Sequence, residues 1–385
     1  MANRSIWYRV LGVVYRITRT QSEKLKWKRK AMKLRSEVEA RVKRIGGGYR
    51  VSDREYRDTI VPYWSKYGIK PEKTWYSLYC NGMDKLDPRF IPETVWFCNV
   101  LPYFNQLKLK TAYANKGMFN RLIFDVMKPE TVAKCMAGYY YDGDGEHLIT
   151  REEAIEICAR EEHLILKPFG GYGGSGIVFY DRDRSSLEDL RDTFSRFSKG
   201  FVAQRIVKQH PDLAVLNPDS INTVRVLSFH YKNDVHILSA QLRIGGNGAR
   251  VDNVSAGGSA CSIYPDGRLH ERSVTRKSTW TDETQNGIKL SSIRVPSFDR
   301  IVETVKRLHC ELPYFNIIGW DFAVGEDGTP IMIEYNMEPA QNQIGDREPT
   351  FGEMTEEVLA DVFIRKKRVN SVCRFGKREA ARLHH

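Results

Sequence analysis

The 385-residue chain contains no run of about 18 uncharged apolar residues, so nothing in it reads as a membrane span. Arg9, Arg16 and Arg19 interrupt the first twenty residues, which therefore lack the apolar stretch of a signal peptide. The seven cysteines (Cys80, Cys98, Cys135, Cys158, Cys261, Cys310, Cys373) are scattered, odd in number and free of any CxxC pair. That argues against a disulfide framework or a zinc ribbon and suits a reducing cytoplasm. There is no internal repeat, no low-complexity tract and no Walker A loop. Net positive charge is lacking in the middle of the chain. Residues 1–50 hold 15 Lys/Arg against 3 Asp/Glu, and residues 364–385 hold 8 against 1, so the two ends together exceed the formal +12 and the body between them is mildly acidic. A partner that reads this charge would meet the ends, not the body.

Residues 4–20 have helical spacing, with Arg9, Arg16 and Arg19 on one side and Ile6, Trp7, Val10, Leu11, Val14 and Ile17 on the other. A strongly basic helical stretch follows to residue 44 and stops at Gly46-Gly47-Gly48. Two readings of 4–44 stand side by side: peripheral attachment to an anionic membrane face, or packing on the body with a solvated basic face. No nucleic-acid-reading array accompanies the charge. The pattern sets off a basic helical segment at 1–48, an aromatic- and proline-rich helical region at 49–110 and a basic tail at 366–385. Helices are expected at 115–127, 186–197, 298–309 and 353–364. Strands are expected at 163–168, 177–180, 201–207, 221–231, 235–244, 259–264, 317–324 and 330–335.

Two motifs point to chemistry. Lys167 ends an apolar strand, and Gly170, Gly171, Gly173, Gly174, Ser175 and Gly176 follow. Such a loop lets backbone N–H groups close on phosphate oxygens, and the lysine adds a point charge. The lysine precedes the glycines, so this is no Walker A loop, and the strand that follows excludes a Rossmann fingerprint. The second motif is a hairpin, Trp320-Asp321-Phe322-Ala323-Val324 returning as Ile331–Asn336. Glu334 and Asn336 share one face by the two-residue period, and Asp321 can oppose them. Hard oxygen donors of this kind suit a Mg2+ that also holds nucleotide phosphates. The alternatives are a flexible turn for the first motif and a polar hairpin edge for the second.

The order of an early lysine, a strand lysine with a glycine loop, a hinge strand and then Asp…Glu-x-Asn resembles the ATP-grasp superfamily. Ser220–Arg225, Asp252-Asn253 and Gly257-Gly258 resemble its sugar-transfer-associated group, over roughly residues 50–365. The resemblance implies an α+β fold whose two subdomains grip ATP, a lysine and lid subdomain at 111–207 and a metal-binding subdomain at 208–365. It implies that Lys116 and Lys167 hold phosphates, that Gly170–Gly176 form the lid, and that Gln204, Arg205, Ile206 and Val207 read the adenine edge. Asp321, Glu334 and Asn336 then become magnesium ligands, and Arg225 and Arg243 cations near the transferred phosphoryl group. Trp320 stands beside the metal aspartate where D-alanine ligases carry an arginine, and Asn115 stands where the family often has aspartate. Asp212 or Asn222 could meet the ribose. The implied activity is an ATP-dependent ligase that joins a small-molecule carboxylate to an amine or similar nucleophile in surface polysaccharide or sugar-conjugate biosynthesis; a sugar kinase is the alternative. Replacing the charge of Asp321 or Glu334 is expected to abolish turnover and spare the fold. His210 reads as an exposed loop residue or a substrate contact, Asp252-Asn253 equally as a turn or a substrate or metal site, Tyr139–Tyr141 as structural, and His384-His385 as a tag remnant.

Overall fold

The structure, a computed structural model, describes residues 25–46, 48–83, 85–169, 176–246, 248–250 and 257–365. The chain forms two compact units. One runs to Tyr103 and is completed by the segment from Arg347; the other runs from Phe104 to Asp346.

In the first unit residues 25–44 are helical. Leu34 and Val38 are buried, the Lys30 ammonium lies 4.5 Å over the Phe97 ring, and Arg41 pairs with Glu93 at 3.6 Å. This part of the basic stretch therefore packs on its own unit, against Glu93, Phe97 and Cys98; residues 4–24, and the tail from 366, lie outside the described residues. The rest of the unit is short helices around fully buried Trp64, Trp75, Tyr76, Phe90 and Trp96. Trp64 Nε1 and the Tyr76 and Tyr79 hydroxyls donate to the carbonyls of Pro88, Phe90 and Ile91, which satisfies the polar ends of large aromatic side chains. Among the described residues no helix is long and apolar enough to cross a membrane.

The second unit holds two antiparallel sheets. The first has six strands: β1 (Thr131–Met136), β2 (Tyr139–Asp142), β3 (Leu148–Ile149), β4 (His163–Pro168), β5 (Val178–Asp181) and β6 (Gly200–Arg205), in the order β3-β2-β1-β6-β4-β5. Helices Arg151–Ala159 and Leu187–Arg196 supply Ala154, Ile155, Cys158, Leu190 and Phe194 to the core with Ala133, Leu164, Leu166 and Phe201. Each helix starts at a capping box, Thr150 with Glu153 and Ser186 with Asp189, which satisfies the first free N–H groups. The alternate side chains, among them Lys134, Lys167 and Val202, fall on the other face; Lys134, Val202 and Lys167 are direct cross-strand neighbours.

The second sheet has seven strands: β7 (Val224–Tyr231), β8 (Asp234–Ile244), β9 (Ser259–Ile263), β10 (Leu269–Thr275), β11 (Trp280–Thr281), β12 (Ile317–Val324) and β13 (Pro330–Asn336), in the order β11-β10-β9-β8-β7-β12-β13. Helix Phe298–His309 buries Phe298, Ile301, Val305 and Leu308 in a core with Val224, Val226, Leu242, Trp320 and Phe322. After β6 the chain crosses from one sheet to the other, and the His210 N–H donates to the Val324 carbonyl at 2.8 Å.

The expected helix at 115–127 is shorter than its pattern. A 3₁₀ turn at Lys116–Met118 leads into Phe119–Leu122. Ile123 is extended and Asp125 has φ +50°, a left-handed conformation that no helix continues through. The segment then runs beside β13, where the Met332 N–H donates to the Met127 carbonyl at 2.8 Å.

Candidate functional site

The β12–β13 hairpin sets the geometry. Gly328 takes φ +80° in the turn, and the Asp327 carboxylate accepts from the Thr329 N–H and hydroxyl, closing it tightly. The register places Asp321 opposite Glu334 and Gly319 opposite Asn336, and an irregularity next to Asp321 lets Ile333 and Glu334 both reach one cavity. On the other side of β12, Asp321 faces Arg225 of β7. A charged row therefore runs across three strands: Glu334, Asp321, Arg225.

Within this row every carboxylate has a cation. The Arg225 guanidinium grips Asp321 with both arms, Nε to Oδ1 at 2.5 Å and Nη2 to Oδ2 at 2.6 Å. Arg243 Nη1 reaches Oδ2 at 3.4 Å. The Asp321 side chain is only 3% exposed. Burial alone would push its pKa up, but the two guanidiniums outweigh burial and hold the carboxyl below the usual range. The Lys116 ammonium lies 3.0 Å from Glu334 Oε2. Lys167 Nζ donates to Gln204 Oε1 at 3.1 Å. Asn336 Oδ1 accepts the Glu338 N–H at 2.9 Å, which leaves its second lone pair.

Lys116, Lys167, Ile206, Val207, Arg243, Asp321 and Glu334 all line one cavity of about 370 Å3, a volume within the range of small-molecule sites. Arg205 lines it as well, but its guanidinium turns to Glu161 and Glu130 at 2.5–2.9 Å. Gln204 lines a narrow neighbouring cleft with Lys116 and Lys167. Arg225 and Asn336 stand behind the cavity wall. Gly176 has φ +77°; Gly170, Gly171, Gly173, Gly174 and Ser175 lie outside the described residues, as do Asp252 and Asn253. Ile206 and Val207 follow directly on β6 and line the cavity.

Other expectations change. Neither Asp212 nor Asn222 lines the cavity. Asn222 is fully buried, its amide donating to Gln209 Oε1 and to the Leu213 and Asn217 carbonyls. Asp219, which lies between them in sequence, does line the cavity. Trp320 lies in the core on the opposite face from Asp321, donating to Ser228 Oγ at 2.8 Å, so it takes no arginine's place in the site. At Gly319 a Cβ would sit 3.3 Å from Arg225 Nη1, so the missing side chain leaves room for the guanidinium delivered from β7. His210 caps the short helix Pro211–Ala214 through Nδ1.

Three residues passed unnoticed in the sequence. Gln209 bridges the hinge to the 217–222 loop, donating to Asn217 and Ser220 carbonyls and accepting from Asn222. Lys134 is 2% exposed, and burial, with Arg121 nearby, pushes its pKa down; its lone charge in Val-Ala-Lys-Cys was the available signal. Arg250 lines the cavity, grips Asp181 at 2.6 and 3.2 Å, and stacks 4.0 Å from the Phe179 ring centre.

The model of the family described as sugar-transfer associated ATP-grasp matches residues 100–353, about two thirds of the chain. The chain belongs to this family. The two gripping sheets are thus those of an ATP-grasp fold, preceded by a helical region. Among solved structures, D-alanyl-alanine synthetase A from Vibrio cholerae O1 biovar eltor str. N16961 is similar at 11% identity over 68% of this chain and 65% of that one, with a TM-score of 0.38. The ATP-grasp ligase PsnB, complexed with precursor peptide PsnA2 and AMPPNP, is similar at 12% identity over 67% and 62%, TM-score 0.40. An L-amino acid ligase from Bacillus licheniformis is similar at 15% identity over 68% and 48%, TM-score 0.33. The chain spans less than two thirds of the length of each of these proteins. No curated protein matches the sequence.

Proposed function

We propose that this ATP-grasp protein is an ATP-dependent ligase that activates a carboxylate as an acylphosphate and joins it to an amine or similar nucleophile. The observation that supports this is a single cavity lined by Ile206 and Val207 where the chain leaves β6, by the cations of Lys116, Lys167 and Arg243, and by the oxygen donors of Asp321 and Glu334. The hinge would read the adenine edge. The cations would hold the triphosphate, with Arg243, which lines the cavity, set to follow charge onto the transferred phosphoryl group and Arg225 holding Asp321 beside it.

Asp321, Glu334 and the spare lone pair of Asn336 form an all-oxygen set that fits Mg2+ shared with phosphates. Among the described residues no group of three His, Cys, Asp or Glu could hold a metal by itself, which agrees with a cation that arrives with the nucleotide. Bound there, Mg2+ would neutralise phosphate charge. In the first step a substrate carboxylate oxygen forms a bond to the γ-phosphorus while the bond to the ADP oxygen breaks. In the second, the nucleophile attacks the acyl carbon, inorganic phosphate leaves, and the nucleophile's proton passes to solvent.

A hydroxyl kinase is the second reading. It would use a carboxylate base to take the hydroxyl proton. Asp321 and Glu334 are both neutralised by cations, which favours a carboxylate nucleophile that brings no proton. The family's description is sugar-transfer associated, and we propose a sugar acid, amino acid or peptide destined for a surface polysaccharide or sugar conjugate as the carboxylate. Release of ADP from MgATP in the presence of a panel of sugar acids and amino acids tests the proposal, and a ligase requires both a carboxylate and an acceptor. A melting temperature indifferent to millimolar MgATP would sink the nucleotide assignment.

A further inference from the structure

The nucleotide cavity makes no use of the basic stretch near the start of the chain. Its described part, residues 25–44, belongs to the unit that lies almost wholly outside the stretch matched by the family model. Residues 25–36 carry six Lys/Arg and no Asp/Glu. Two of the six are used within the unit: the Lys30 ammonium sits over the Phe97 ring, and the Arg35 guanidinium pairs with Glu72. The other four, Lys26, Lys28, Arg29 and Lys33, are exposed or nearly so. Among the described residues the one carboxylate within ion-pair reach of these four is Glu37, 3.8 Å from Lys33 and itself open to water. Leu25, Arg29, Met32 and Ser36 follow the helical period on the side away from buried Leu34 and Val38. Leu25 is 49% exposed and Met32 55%. Two bare apolar side chains therefore stand in a field of cations, on a helix whose opposite face is fixed to a folded unit.

We propose that this face, from Leu25 to Ser36, is a docking surface for an anionic lipid bilayer. Lipid headgroups supply dense negative charge in a plane, and the boundary just beneath them takes apolar side chains; the helix presents the complement of both in one patch. The long stems of Lys and Arg let their charges stay at headgroup level while Leu25 and Met32 reach past them. A nucleic acid would meet the same cations but leave Leu25 and Met32 in water. Trp27, the one aromatic residue among these twelve, is half-buried with the Lys26 and Lys30 ammoniums 5.6 and 5.7 Å from its ring centre, so it offers no free ring to a base. Glu37 and Glu39 end the cationic run, which confines the contact to the first half of the described helix. Each Lys or Arg at an anionic surface changes partitioning by roughly fivefold, and salt screens the effect. Four exposed cations thus give firm attachment at low salt that high salt releases.

The test uses the full-length protein and sedimentation with vesicles of phosphatidylcholine, alone or mixed with phosphatidylglycerol. Wild-type protein should pellet with the mixed vesicles at low salt, stay in solution with phosphatidylcholine alone, and be released by high salt. The combined change Lys28→Gln, Arg29→Gln and Lys33→Gln should weaken partitioning by about tenfold or more. Met32→Gln should weaken it by about fourfold, the worth of one buried methylene group. Both variants should melt as wild type does, because the exchanged side chains are exposed. Wild-type protein that stays in solution with the mixed vesicles, equal capture by both kinds of vesicle, or a triple variant that pellets as wild type does overturns the proposal. An unaffected Met32→Gln variant, or wild-type protein that prefers a DNA duplex to the mixed vesicles, overturns lipid as the occupant. None of these readouts depends on the nucleotide reading.

Discussion

Asp321→Asn keeps the shape of a proposed metal ligand and removes one charge. From the sequence, this change and Glu334→Gln look equivalent, each expected to spare the fold. Their surroundings separate them. The side chains of Asp321 and Arg225 are 3% and 10% exposed, so asparagine leaves a guanidinium buried without its counter-charge. Removing one partner of a buried ion pair costs about 3–5 kcal/mol. Glu334 and Lys116 are 36% and 19% exposed, where water can replace a lost partner and a pair contributes about 1 kcal/mol or less. For a unit of this size about 1 kcal/mol moves the melting temperature by roughly 2–4 °C. Asp321→Asn should therefore melt about 6–20 °C below wild type, and Glu334→Gln within a few degrees of it. Both should lose turnover. Thermal melts followed by tryptophan fluorescence are suited to this, because buried Trp320 adjoins Asp321 in the strand. The double change Arg225→Met with Asp321→Leu should recover much of the lost stability, since the charge left behind, on Arg243, is 20% exposed and can turn to water. If Asp321→Asn melts as high as Glu334→Gln, the Arg225–Asp321 pair does not hold the sheet as argued.

Two further predictions follow from the same sheet. His309 is buried, Nδ1 meeting Ser228 Oγ at 2.7 Å and Nε2 the Phe315 carbonyl at 3.0 Å, and burial pushes its pKa down to about 3. The unfolded chain takes up this proton near pH 6.5 and the folded chain does not, so stability should fall as pH drops below about 6.5, by up to about 1.4 kcal/mol per pH unit. Urea melts at pH 7, 6 and 5 should show this slope in wild type and a flatter one in His309→Gln; identical slopes would refute the assignment. Gly319→Ala places a Cβ 2.9 Å from Pro339 Cβ and 3.3 Å from Arg225 Nη1, so it should displace the guanidinium, lower the melting temperature and reduce stabilisation by MgATP; a variant unchanged in both would show that Arg225 does not need the space.

The sequence by itself determined the parts of the site that are local. The strand ending in Lys167, the hairpin bearing Asp321 and Glu334, and the helix Phe298–His309 follow from apolar runs, turn residues and helical period, and they stand where those signals put them. Short or mixed segments were not legible: β1–β3 and β10–β11 interleave tyrosine, charge and small residues, and their strand character comes from the ladders they join. The helix expected to reach residue 127 stops at Leu122 because the chain pairs with β13 beyond it. Only the tertiary structure decided who holds Asp321. Arg225 lies 96 positions earlier in the chain, and no local pattern sets the register that brings β7 beside β12. That register depends on the fit of both sheet faces at once, with Trp320 committed to the core and Asp321 to the cavity. Composition fixes which charges are available; only packing fixes which of them are neighbours, because a bond between buried charges depends on desolvation and distance, and both belong to the folded chain.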